Sequence, residues 1–175
     1  IKSSAASDVY KRQDKSQQQV INDVISQVGE CLNSDVAAVY VRDDDGSLDC
    51  QYLWSKNQSM SAEEYVSDWQ RGNIRFRSWQ NGQGKVQMAD KGYMVIDARH
   101  IDDVAKKILT GSTVKSFVAV TVYVNGRSGA VFVLANTSVN KIWSVEEIEF
   151  AKQTSEVIRC CLEKIESDDL SLIHI

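Results

Sequence analysis

The stretch from Ser116 to Ala135 constrains the fold more than any other part of this chain. Ser116 to Val124 alternates in character and is rich in β-branched residues, Asn125-Gly126 follows, and Gly129 to Ala135 continues as an uninterrupted apolar run. Asn-Gly accepts the two positive φ angles of a two-residue hairpin turn, whose twist matches that of the flanking strands. An antiparallel pair is therefore expected here. A run as apolar as Val131-Phe132-Val133-Leu134-Ala135 reads as a strand buried on both faces, so other elements must cover the sheet from two sides.

Those elements can be read from the rest of the sequence. Ile21, Val24, Ile25, Val28, Cys31 and Leu32 recur at three- and four-residue intervals, which predicts an amphipathic helix from about Ser16 to Asn33. Val36 to Arg42 and Leu48 to Trp54 are strand-like runs joined by Asp43-Asp44-Asp45-Gly46, a second hairpin signal. The three aspartates lack the spacing and closing Glu of a calcium loop. Ser61-Ala62-Glu63-Glu64 has the spacing of a capping box and opens a short helix to about Arg71; strand pieces are expected around Val86 to Met88 and Tyr93 to Ile96. A further helical stripe, Ile101, Val104, Ala105, Ile108 and Leu109, ends at Gly111. Ser144-Val145-Glu146-Glu147 is a second capping box, opening a helix to about Ser167. Strands grouped as hairpins with helices at both ends predict an α+β fold: one antiparallel sheet carrying the terminal helices on one face and a ligand cavity on the other.

Both ends of the chain are set apart from this pattern. Asp8-Val9-Tyr10-Lys11-Arg12-Gln13 and Leu170-Ser171-Leu172-Ile173-His174-Ile175 can be encoded by one DNA element read on opposite strands, and that element resembles a transposase mosaic end used in sequencing libraries. Residues 1–13 and 170–175 are accordingly expected to be translated adaptor, and residues 14–169 the native fragment. Removing Lys2, Lys11, Arg12 and Asp8 from 20 basic and 24 acidic residues leaves 17 and 23, a net charge of −6. That balance argues against nucleic acid as a partner. No apolar run is long enough for a membrane span. Cys31, Cys50, Cys160 and Cys161 show no CxxC spacing and read as free thiols in a reducing cytosol.

Ser116 to Val122, then Asn125-Gly126-Arg127-Ser128-Gly129-Ala130-Val131-Phe132-Val133, then Lys141-Ile142-Trp143-Ser144-Val145-Glu146-Glu147-Ile148 resembles the closing half of a GAF domain. Asn33 to Tyr40 is similar to the family's first strand, and Leu53-Trp54 with the region around Trp69 is similar to GAF domains found beside diguanylate cyclase and related cyclic-di-GMP domains. Lys141 stands where Arg is commoner, and the middle segment lacks the prolines often seen there. The resemblance implies a non-catalytic, small-molecule-sensing regulatory domain from a larger bacterial signalling protein. It also implies a homodimer through the terminal helices and a cyclic-di-GMP or histidine kinase output domain elsewhere in the chain. The alternatives are a ligand-free dimerisation module and, more remotely, a thiol-dependent reductase of the GAF type.

The resemblance places the ligand cavity between sheet and middle segment, where aromatics are dense: Tyr52, Trp54, Tyr65, Trp69, Phe76, Trp79 and Tyr93. Such side chains suit a planar ligand, or fill the core over the sheet. The expected ligand-binding set is Tyr52, Trp54, Trp69, Phe76, Trp79, Tyr93, Asp97, His100 and Phe117. Asp97, Arg99 and His100 serve either as polar anchors at the mouth or as a helix cap with solvated charges. No metal site is expected, because a lone His has no partners at ligand spacing. The cofactor is left open as a non-covalent small molecule. Covalent bilin attachment is disfavoured because no Cys lies between Cys50 and Cys160. In the last helix Ile148, Ala151, Ser155, Ile158, Leu162 and Ile165 form one seam, while Phe150, Val157 and Cys161 mark a second apolar direction.

Overall fold

The computed structural model of the protein describes residues 16–46, 48–56, 91–99, 114–137 and 141–173. Helix α1 (Gln17–Cys31) begins at Ser16, whose hydroxyl oxygen accepts from the Gln19 amide at 3.2 Å. It ends where Asn33 turns into the left-handed region (φ 53°). There the Asn33 amide donates to the Glu30 carbonyl at 3.1 Å and the Ser34 amide to the Gly29 carbonyl at 2.8 Å. These are the paired closing bonds of a Schellman cap, which satisfy carbonyls that the helix would otherwise leave open.

Strands β1 (Val36–Arg42), β2 (Leu48–Ser55), β3 (Tyr93–Ile96), β4 (Ser116–Val124) and β5 (Arg127–Asn136) form one sheet in the order β2-β1-β5-β4-β3, antiparallel at every pairing. The two hairpins lie where the turn residues place them. Asn125 and Gly126 both have positive φ, 51° and 80°, as the two-residue turn requires. Helix α2 (Val145–Ile173) runs 29 residues, about 44 Å at 1.5 Å per residue. Its capping box closes: the Glu147 amide donates to Ser144 Oγ and the Ser144 amide to Glu147 Oε1, both at 3.1 Å. The helix continues through 170–173, part of the expected adaptor stretch. The expected helices over 61–71 and 101–109 and the strand piece over 86–88 lie outside the described residues.

The sheet separates two buried layers. On one face α1 and α2 pack together over Ala37, Val39, Tyr52, Val118, Val120, Val122, Ala130, Phe132 and Leu134. Ile21, Ile25 and Val28 come from α1, and Ala151, Ile158 and Leu162 from α2. The other face gathers Val36, Ala38, Tyr40, Met94, Ile96, Phe117, Ala119, Val131, Val133 and Ala135, which are also buried. In α2 the expected second apolar direction is corrected in one member. Cys161 is buried with the sheet-facing seam, because it lies three residues after Ile158 and so on the same side of the helix; Phe150 and Val157 remain exposed.

One contact sets how closely α1 can approach the sheet. A methyl carbon placed on Gly29 would lie 2.2 and 2.4 Å from the Trp54 ring, so the indole rests directly on the helix backbone. Alanine at an ordinary helical position is better than glycine by about 1 kcal/mol. Here Gly29→Ala is expected to lower stability by about 1–3 kcal/mol instead, since the ring must be displaced from a packed layer. Urea unfolding monitored by circular dichroism checks the sign; an unchanged or raised midpoint contradicts this account of the α1–β2 contact.

Candidate functional site

The face away from the helices is built by register. Leu53, Ala38, Val133, Ala119 and Met94 line up across all five strands, and Val36, Ala135, Phe117 and Ile96 form the next row. In each strand these are alternate residues, so their side chains project together from one side of the pleat. Three of the central positions are alanines, 38, 119 and 135, ringed by the larger Phe117, Tyr40 and Met94. All of these side chains are buried, so the alanines place small groups at the centre of a covered apolar layer. Both described helices lie on the opposite side.

Strand β2 reaches this face through an irregularity. Val39 pairs with Tyr52 but Tyr40 pairs with Cys50, so Gln51 is an extra residue and the alternation shifts. Leu48, Cys50 and Leu53 thereby share the face despite their uneven spacing. Tyr52 and Trp54 are turned to the helix side. Cys50 Sγ donates to the Tyr52 carbonyl at 3.6 Å. Burial pushes the Cys50 thiol up to about 11, against smaller opposing hydrogen bonds from Tyr40 and the Tyr52 backbone.

The structure divides the expected ligand-binding residues. Phe117 is fully buried in the open-face layer. Tyr52, Trp54 and Tyr93 are not on that face but belong to the helix-side layer, where Lys152 Nζ sits 4.1 Å from the Tyr93 ring centroid. Their placement follows from strand phase, since Tyr93 alternates with Met94, and Tyr52 and Trp54 follow the bulge. Trp69, Phe76, Trp79 and His100 lie outside the described residues, as does Tyr65.

Asp97 is completely buried and works on backbone rather than solvent. Its Oδ1 accepts from the Arg99 amide at 2.9 Å and its Oδ2 from the Trp143 amide at 3.0 Å. Sequence reasoning missed Ala38, Tyr40, Cys50, Met94, Ile96, Ala119 and Val133 as members of the open face. Residue parity in β4 and β5 carried that signal, because Phe117 and Ala119 are separated by two, as are Val131, Val133 and Ala135.

At the end of the sheet beside the α1 cap, Asn136 Oδ1 accepts from the Asp35 amide at 3.1 Å, and Thr137 donates its amide to Asp35 Oδ2 at 2.9 Å. Among the described residues Ser34 Oγ, Ser116 Oγ and Asn136 Nδ2 are buried here without a hydrogen-bond partner, an arrangement that costs stability. Among the described residues no group of His, Cys, Asp or Glu could hold a metal ion, and no helix is long and apolar enough to cross a membrane.

Residues 16–161, which contain the five described strands, α1 and most of the sheet-packed part of α2, match the GAF domain family. The chain belongs to the GAF family. This membership makes it a sensory regulatory domain of a class that binds small-molecule ligands. Solved structures agree on the fold. The phycocyanobilin-bound GAF domain of a cyanobacterial phytochrome superposes with TM-score 0.66 at 16% identity, covering 89% of each chain. The phycoerythrobilin-bound GAF domain of a cyanobacterial phytochrome gives 0.67 at 14% identity, covering 90% of this chain and 91% of that one. GAF3 of Slr1393 from Synechocystis sp. PCC6803, in its photoproduct state, gives 0.61 at 15% identity, covering 86% and 96%. No match was found among curated proteins.

The raised thiol of Cys50 has a direct consequence for its reactivity. Thiolate is the nucleophile, so at pH 8 Cys50 in the folded GAF domain is expected to react with iodoacetamide at least about tenfold more slowly than in unfolded protein. The exposed Cys31 and Cys160 should label first. Mass spectrometry of timed samples checks this order; early modification of Cys50 contradicts the buried environment described.

Proposed function

We propose that this GAF domain is a small-molecule sensor within a larger bacterial signalling protein, binding its ligand non-covalently against the open sheet face. The observation that carries this reading is the buried apolar face spanning five strands, small at its centre and carrying no helix among the described residues. Ligand sites are typically concave and mostly apolar, with few polar groups for orientation. Tyr40 and Cys50 are the polar side chains of that layer. In this reading Phe117 contributes to the site, while Tyr52, Trp54 and Tyr93 support it from behind the sheet. Trp69, Phe76, Trp79 and His100 retain their proposed roles as ligand contacts. No catalytic step is assigned. The thiol reductase reading needs two thiols close together, whereas Cys50 lies on the sheet, and Cys31, Cys160 and Cys161 lie on the helices.

The domain is further proposed to act in the cytoplasm as a parallel homodimer, passing ligand state through its terminal helices to an output domain, with cyclic-di-GMP enzymes and histidine kinases as the classes implied. Support comes from α2, where Val145, Phe150 and Val157 are 73%, 40% and 45% exposed. Phe150 and Val157 lie seven residues apart, two turns along one side of the helix. Among the described side chains Ile165 is the last of α2 packed against the core, and the helix continues to Ile173.

Titration with haem, biliverdin and cyclic di-GMP, read by absorbance or calorimetry, tests the pocket. At least one is expected to bind reversibly. Ala119→Phe, which fills the middle of the face, should weaken that binding at least about tenfold, whereas Trp54→Ala should cost about 3 kcal/mol of stability with affinity retained. Binding of none of the three, or binding indifferent to Ala119→Phe, sinks the site assignment and favours a dimerisation module. Sedimentation of the double variant Phe150→Glu/Val157→Glu tests the other half. The unmodified domain is expected to sediment as a dimer and the variant as a monomer; a monomeric unmodified domain removes the helix-interface proposal.

A further inference from the structure

Three elements that are remote in sequence meet at one small junction: the end of edge strand β3, the C-terminus of α1 and the entry to α2. Asp97, directly after β3, accepts the Trp143 amide at 3.0 Å in a buried hydrogen bond, and Arg99 Nη2 donates to the Trp143 carbonyl at 3.5 Å. Both backbone groups of Trp143 are thus held from the β3 side. The Trp143 side chain is buried in the helix-side layer, and its Nε1 has no hydrogen-bond partner among the described residues. Lys141 Nζ lies 4.5 Å from the centroid of that ring. The same ammonium pairs with Glu147 Oε2 at 2.6 Å and donates to the Leu32 carbonyl, the cap position of α1. Glu147 is also the carboxylate that closes the α2 capping box through the Ser144 amide.

The arrangement is connected at every step by a buried or part-buried polar contact. In β3, Met94 and Ile96 face the open side of the sheet, and Asp97 follows Ile96 immediately. Among the described residues strand β3 pairs with β4 alone, which leaves one of its two long sides without a described strand partner. A shift of an edge strand disturbs fewer ladder bonds than a shift of a central one. At this edge, any movement of β3 pulls on the Trp143 backbone, one residue before the Ser144 cap. Burial of Asp97 makes the alternative of releasing that amide costly, because Oδ2 would lose an amide donor in the protein interior.

We propose that Asp97, Trp143 and Lys141 form a coupling junction that ties the position of strand β3 to the first turn of α2 and the last turn of α1. Asp97 and Lys141 are positioning residues in this device: neither needs to touch ligand. Its regulatory use rests on the sensor reading given above, whereas the mechanical coupling is a property of the domain alone. Coupling between two sites is reciprocal, so a perturbation at either end must be felt at the other.

Amide hydrogen exchange on the ligand-free domain tests the coupling in both directions. Asp97→Asn keeps the shape of the side chain but weakens its bonds; it is expected to speed exchange about fivefold or more at Glu147 and Ile148 and at Asn33 and Ser34, none of which donates to Asp97. Lys141→Gln, at a part-exposed site, is expected to speed exchange of the Arg99 amide and of the β3–β4 ladder by a similar factor. Val39 and Phe132, in the middle of the sheet, report global opening and should change less than twofold. Acceleration confined to Arg99 and Trp143 in Asp97→Asn, or to Glu147 in Lys141→Gln, overturns the proposal, as does equal acceleration at Val39 and Phe132. If Asp97→Asn fails to fold, the Lys141→Gln arm decides alone. Because no ligand is present, absence of ligand binding leaves this test intact, and loss of coupling leaves binding at the open face untouched.

Discussion

Strand β5 is the structural constraint on which the rest depends. It is paired along both sides, to β1 and β4, and buried on both faces from Ala130 to Ala135. Each large apolar side chain there is worth about 1.5–3 kcal/mol in removal from water, but only if cover exists above and below the sheet. On one side the cover is the pair of terminal helices, which must therefore lie together. On the other side the same requirement produces an apolar face that carries no helix among the described residues, the face against which the ligand site is proposed. Fold and proposed site are two consequences of one doubly buried strand.

The helix layer is closed by contacts that leave little freedom. Trp54 lies on Gly29 with no room for a methyl group, and Trp143 fills the space beside the entry to α2. Burial of this kind behaves like a crystal of small organic molecules rather than a liquid, and it transmits displacement. The polar groups reinforce this. Glu147 illustrates the balance: burial alone raises a carboxyl's pKa, yet bonds from Lys141 and Ser144 outweigh it and hold the group below its ordinary value. By contrast, the outer ion pairs of α2, Lys152 with Glu149 and Arg159 with Glu156 and Glu163, lie on its solvated side and add little to stability. The inner set joins α1 to the entry of α2, and among the outer carboxylates Glu163 also reaches another element, accepting from the Asn125 amide at 3.0 Å.

Much of the architecture was legible from local patterns. The bounds of β1 and β4 match their expected spans to the residue, β3 lies where a strand piece is expected, and the turn at Asn125-Gly126 and the Ser144 capping box have the geometry that their residue types imply. The GAF resemblance drawn from the closing half of the chain holds across residues 16–161. The candidate site was less legible. Phe117, expected as a ligand contact, lies on the sheet face opposite the helices. Tyr52, Trp54 and Tyr93 were expected there as well, on grounds of aromatic density, and instead support the sheet from the helix side. Aromatic character states that a side chain is buried somewhere; it does not state on which face.

For the described residues the sequence by itself determined the elements, their order and the turn and capping box that join them, because each depends on backbone conformations and side-chain periodicities decided within a few residues. Only the tertiary structure decided the phase of each strand relative to the helices. The extra residue Gln51 in β2 exchanges the faces of every residue beyond it, and no local pattern announces it. The same holds for the bond from Asp97 to Trp143, which spans 46 residues, and for the approach of Trp54 to Gly29. Contacts between distant segments are set by how two surfaces meet, a property that belongs to neither segment alone.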